Sequence, residues 1–167
     1  MKKQYYILII IVVMALLFFW KKKSLFNLLQ TLLKEFEGFS SKPYWDVSRW
    51  SWGYGTQVPN SIDNPTIKPN VSISKSNAMN DAMNFSMQQQ QVLRNYLHKP
   101  LKDNQWAAVL SFAYNLGTGN GTKLINVINS SDLNTIKNYW LQFVNVKGVP
   151  NDDLLARRKK EFSIYSS

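Results

Sequence analysis

One stretch of this chain limits its possible folds more than any other. Residues 103 to 117 read DNQWAAVLSFAYNLG, where Ala107, Ala108, Leu110, Phe112, Ala113, Tyr114 and Leu116 leave almost no polar face. A helix that is apolar all round has to be surrounded, so the rest of the chain must supply a layer on every side of it. Leu25, Leu28, Leu29, Leu32, Leu33 and Phe36 recur at three- and four-residue steps, which predicts a helix that Ser24 caps and Gly38 stops. Ser74 opens a long helix over about 75–97, with Ala78, Ala82, Phe85, Val92, Leu93 and Tyr96 on its apolar side and Pro100 beyond its end. Gln88 to Gln91 read as a solvated part of it. Gly117 to Gly121 read as a flexible turn. Segments 124–129 and 133–143 read as further helices, and a last helix starts at about Asp152. Between the first helix and the long one, Pro59, Pro65 and Pro69 break the chain, and short strands fit at 49–57 and 71–73. Trp45, Trp50 and Trp52 then serve chiefly as the core of a small sheet. The fold class expected is α+β: a small antiparallel β lobe and a larger helical lobe.

The front of the chain is of another kind. Residues 5 to 20 read YYILIIIVVMALLFFW, without charge, glycine or proline, and lysines flank the run at 2, 3, 21, 22 and 23. Sixteen residues fall short of the ~20 that span a bilayer, but flanking lysines can snorkel and aromatic ends suit the interfaces. A cleavable signal would need small residues that Leu17 to Lys21 do not offer. Residues 1–23 are therefore expected to be one hydrophobic anchor helix, and 24–167 a separate domain. Lysines on both sides leave the orientation open. The domain keeps ten acids against fifteen bases, a surplus that suits an anionic partner through long-range steering. No basic-aromatic array points to nucleic acid. With no cysteine and His98 as the one histidine, disulfides, thiolate metal sites, multi-histidine metal sites and Ser-His-Asp chemistry are excluded. His98 reads as a surface or capping residue. No metal or organic cofactor is called for.

The chemistry concentrates in KEFEGFSSKPYWDVSRWSWGYGTQ, Lys34 to Gln57. Glu37 closes the first helix, where the negative end of the dipole disfavours its charged form. Burial in a cleft would raise its pKa further, as a general acid requires. Asp46 follows in a segment of strand and turn character, where it can stay solvated and ionised. Two carboxyl groups in unlike environments are what glycosidic bond hydrolysis needs. Glu35 is a rival to Glu37, but two positions away on a helix it points to the opposite side.

This stretch resembles the active-site region of the phage-type lysozymes. The resemblance is carried by Glu37-Gly38, the eight residues between Glu37 and Asp46, and Gly53-Tyr54-Gly55. Two departures stand out. The gap from Asp46 to the next hydroxyl is one residue shorter than usual, and that hydroxyl is Ser51 instead of Thr. Thr56 also stands where many members have His. A second block, Asn104-Gln105 through Asn115 and Gly117-Thr118-Gly119, is similar to the family's core helix and turn. A third, Leu154 to Glu161, is similar to its closing Gly-Leu-x-x-Arg-Arg-x-x-Glu, with Asp153 for Gly. Arg157 or Arg158 is expected to pair with Glu161 along the helix, a contact worth only ~0.3–0.5 kcal/mol if exposed.

The resemblance spans about 34–165 and implies a phage-lysozyme-like fold. It implies cleavage of the β-1,4 bond between N-acetylmuramic acid and N-acetylglucosamine in peptidoglycan. Glu37 would protonate the leaving oxygen, and Asp46, helped by Ser51, would activate water. Asn115, Thr122 and Tyr54 match positions expected to approach the glycan. The implied partner is peptidoglycan and the catalytic domain is monomeric. With the anchor, such a protein would sit in the host inner membrane with its domain facing the periplasm, or in the internal membrane of a virion. Three rivals are a lytic transglycosylase, a non-catalytic anchored glycan binder or virion structural protein, and a membrane disruptor acting through residues 1–23.

Overall fold

A computed structural model describes residues 25–167. The expected anchor, 1–23, and Ser24 lie outside them. Among the described residues no helix is long and apolar enough to cross a membrane.

Helix α1 is described over 25–36. It buries Leu25, Leu29, Leu32 and Leu33, the expected stripe. It stops at Gly38, whose φ of +65° is a left-handed conformation that glycine adopts without strain. Strands β1 (Ser40–Asp46), β2 (Arg49–Gly53) and β3 (Thr56–Gln57) then form an antiparallel sheet in the order β1-β2-β3. The helical lobe follows: α2 (Lys75–Arg94), α3 (Asp103–Leu116), α4 (Thr118–Ser130), α5 (Leu133–Trp140) and α6 (Asp152–Tyr165). A two-residue-strand hairpin, β4 (Asn145–Val146) with β5 (Val149–Pro150), leads into α6. The architecture is the α+β arrangement expected of the sequence. Its centre is α3, which is buried without interruption from Trp106 to Ala113 and packs against α2, α4 and α6.

Several local expectations are corrected. The strand character expected around Asp46 extends further back than expected, as β1, and runs through Pro43. It lies on the edge of the sheet, where a missing N–H is tolerated, and the register shifts between Ser40 and Tyr44. Residues 71–73 form no strand; a single bond from Ile73 N to Ser41 O (2.9 Å) ties them to β1. The long helix ends at Arg94 and α5 at Trp140, both short of the expected limits. Gly117 to Gly121 are not a flexible turn. Helix α4 begins at Thr118, and Gly121 lets it close on α3: a Cβ there would stand 2.9 Å from that of Ala113. Gln89 and Gln90 are buried, not solvated. Gln89 Nε2 donates to Ala113 O (2.9 Å) and Thr118 Oγ1 (3.2 Å), joining the end of α3 to the start of α4.

Trp50 is buried in the β lobe, as expected, with its Nε1 on Asn64 O (3.0 Å) and Trp45 edge-on to it at 5.5 Å. His98 is exposed, and its backbone N–H is held by Asn129 Oδ1. The Gly-Tyr-Gly run has a packing reason of its own. Gly53 has φ +60°, and a Cβ there would fall 2.7 Å from Ala78 Cβ on α2. Gly53→Ala combines left-handed strain with overpacking, and is expected to cost about 2 kcal/mol in urea denaturation.

Candidate active site

Glu37 lies at the last turn of α1, where its N–H bonds Leu33 O (3.0 Å). Its side chain is 16% exposed, and Arg157 Nη2 of α6 stands 2.6 Å from its Oε1. That contact is a close charge approach and not an aligned hydrogen bond. Burial pushes the Glu37 carboxyl above the usual carboxylate range. Arg157 pulls the other way, Glu161 reinforces the rise and Arg158 opposes it. Glu35, its rival on α1, is exposed.

Asp46 ends β1, exposed, opposite Arg49 in the antiparallel register. The hairpin between them has two residues, Val47 and Ser48. The loop is so short that Val47, 92% exposed, takes φ +54°, an unfavourable conformation for a β-branched residue. Ser51 pairs with Tyr44 across β1 and β2 and is fully buried. Among the described residues no group bonds its Oγ.

Two tyrosines join the sites of the two carboxylates. Tyr44 is pushed above its ordinary range by burial and then by the charges of Asp46 and Glu37. Tyr114 is raised by burial, then by Glu37 and Tyr44. Its hydroxyl donates to Tyr54 O at 2.8 Å, and its ring meets Phe85 edge-on at 5.5 Å. Beyond Phe85 lies a cleft of about 300 Å³ between the β2–β3 turn and α2, with Arg49, Gly55, Gln57, Asp81, Asn84 and Gln88 among its lining residues. The cleft thus presents amides, a guanidinium, a carboxylate and an aromatic ring, groups suited to a polar sugar chain.

The three residues matched to the glycan are placed differently from one another. Tyr54 is buried with its ring tilted against Phe39 at 5.6 Å, so its side chain belongs to the core. Asn115 is half-buried and its Oδ1 accepts from Arg158 Nη2 at 2.9 Å. Thr122 is half-buried within α4 and donates to Thr118 O.

Sequence reasoning missed the support behind Glu37. The pairing of Arg157 and Arg158 with Glu161 is present, but it is buried instead of lying on an exposed face: the three side chains are 4%, 0% and 0% exposed. Glu161 Oε1 accepts from Arg157 Nε (3.0 Å) and Ser111 Oγ (2.7 Å), and its Oε2 accepts from Trp140 Nε1 (3.1 Å). Arg158 Nε approaches Oε2 at 3.3 Å. Arg157 also donates to Ser111 O and lies over the Phe36 ring at 5.0 Å. Every ion pair among the described residues runs through α6. Among them no cluster of His, Cys, Asp or Glu could hold a metal ion.

Comparison with known proteins places this arrangement. No curated protein matches the sequence. Among solved structures, the fold is similar to the muramidase domain of SpmX from Asticaccaulis excentricus, with a TM-score of 0.71 at 20% identity over 83% of this chain and 95% of that one. An endolysin from Escherichia coli O157:H7 phage FAHEc1 has a TM-score of 0.67 at 23% identity, over 83% and 90% of the two chains. The active form of the P1 phage endolysin Lyz has a TM-score of 0.63 at 22%, over 81% and 80%. At these identities the likeness is one of fold. Residues 34–161 match the Phage lysozyme family, and the chain belongs to it.

Proposed function

We propose that the protein is a peptidoglycan hydrolase, a muramidase that cuts the β-1,4 bond between N-acetylmuramic acid and N-acetylglucosamine. The observation that carries this reading is the contrast between its two carboxyl groups. Glu37 is half-buried and biased toward its protonated form, while Asp46 stands exposed at a hairpin. Glu37 protonates the leaving glycosidic oxygen. Asp46 activates a water on the far face of the sugar, and the unpartnered Ser51 hydroxyl helps to hold that water. A separation of the two carboxyl groups wide enough for that water would predict inversion at the anomeric carbon. The cleft along α2 takes the flanking sugars, with Asn84 and Gln88 as hydrogen-bonding partners and Phe85 as an apolar wall. Asn115, Thr122 and the backbone of Tyr54 remain our assignment for further glycan contacts. Residues 5–20 support an anchor that would hold the domain beside the wall, at the periplasmic face of a host inner membrane or in a virion membrane.

The test is digestion of purified peptidoglycan by the full chain, with mass spectrometry of the products. Reducing muropeptides are expected. Anhydro-sugar products would instead make it a lytic transglycosylase. Binding without release would make it a glycan binder.

A further inference from the structure

The muramidase reading gives Glu37 a proton to deliver, but Glu37 stands beside a guanidinium that favours losing it. The rest of the buried cluster resolves this conflict. Two arginines and two glutamates meet there, so the charges balance only if both carboxyls are ionised. Glu37 can be neutral at less cost if the other carboxylate takes most of the arginine charge, and Glu161 is built to do so. It is fully buried, and its two oxygens receive Ser111, Trp140 and Arg157, with Arg158 alongside. Glu37 has only one arginine, poorly aligned, and keeps some exposure to solvent. Arg158 is lowered to about 10 by burial, with Glu161 resisting the fall, and stays a cation at neutral pH. The other titratable groups facing Glu37 are Tyr44 from β1 and Tyr114 from α3, both raised and neutral.

We infer that Glu161 is a positioning residue: it binds the inner edge of Arg157 and the side of Arg158, and by taking up their charge it leaves Glu37 free to keep the proton it donates. Without it, two buried cations would face Glu37 as their one carboxylate. The inference rests on Glu37 being the acid of the muramidase reading, but the coupling can be read without turnover.

The sequence contains three glutamates, so side-chain ¹³C labelling of Glu gives three carboxyl titrations to follow by NMR in the full chain. In Glu161→Gln, the Glu37 midpoint should fall by at least about one pH unit, the size of a close charge effect on a carboxyl. The alkaline limb of kcat/KM on peptidoglycan should fall with it. In Arg158→Met the midpoint should rise. Removal of an anion and of a cation moving Glu37 in opposite directions is a signature that loss of packing does not give. Arg158 Nε and Nη1 lack aligned partners, so Arg158→Met gives up one aligned hydrogen bond, from Nη2 to Asn115, and carries the test alone if Glu161→Gln does not fold. A parental midpoint in either folded variant overturns the inference. Shifted midpoints in a protein that leaves peptidoglycan intact would uphold the coupling and sink the muramidase assignment.

Discussion

Glu37→Gln should lower peptidoglycan cleavage at least a hundredfold, and Asp46→Asn should do the same, while Glu35→Gln stays near the parent. General acid–base catalysis contributes about 10²–10⁴-fold, and a glutamine in Glu37's place keeps the shape while removing the transferable proton. Turbidity clearing of purified walls checks the rates. Activity surviving in Glu37→Gln would move the acid elsewhere. The same variant carries a stability prediction with a definite sign. Because burial raises Glu37 above its unfolded value, the native state binds more protons than the unfolded chain between the two. The stability due to the protonated carboxyl is full below about 4.5, the unfolded value, and is lost as pH rises through the higher native one. Parent stability should therefore slope downward across that window, and Glu37→Gln should lack the slope. At neutral pH the inactive variant should be at least as stable as the parent, as expected where a site is kept at the expense of the fold.

The largest loss of stability should come from Trp140. Its side chain is fully buried, lies 5.3 Å from the rings of both Phe112 and Tyr165, and meets Phe162 at 6.2 Å. Trp140→Ala opens a cavity among three rings, at roughly 3–5 kcal/mol. It also takes a donor from a buried carboxylate, which adds about 1–3 kcal/mol. Against a total stability of about 5–15 kcal/mol for a domain, that leaves much of the population unfolded. Trp140→Phe separates the two effects, since it keeps an aromatic ring and loses the N–H. Urea denaturation of both should show the Phe variant recovering more than half of the loss. Equal losses would mean that the hydrogen bond to Glu161 dominates.

What the sequence made legible is what period and residue type both point to. The all-round apolar run of α3 is the core, α1 buries its leucine stripe, and Gly38 ends it in the left-handed conformation its position suggested. Glu37 and Asp46 could be singled out because their contrast follows from local structure: a helix end and a strand end. The misses arise where residue type and position disagree. Gln89 and Gln90 fall on the inward face with Ala82, Ser86 and Leu93, so the helical period marked them, but their polarity argued for water. Arg157, Arg158 and Glu161 looked like a solvated helix face. They are buried because each compensates another, and partners contributed by α1, α3 and α5 cannot be read from one helix. The glycines after Leu116 looked like freedom of the chain, and one of them is there for close packing.

The dependence of Glu37 on α6 also has a consequence in time. Glu37 and Arg157 stand about 120 residues apart, and at about 5–20 residues per second the ribosome makes the second several seconds after the first. Until that last segment is made and docks, Glu37 has neither its arginine nor the buried setting that biases it toward its proton. A nascent or C-terminally clipped chain can carry both carboxylates and still be inert.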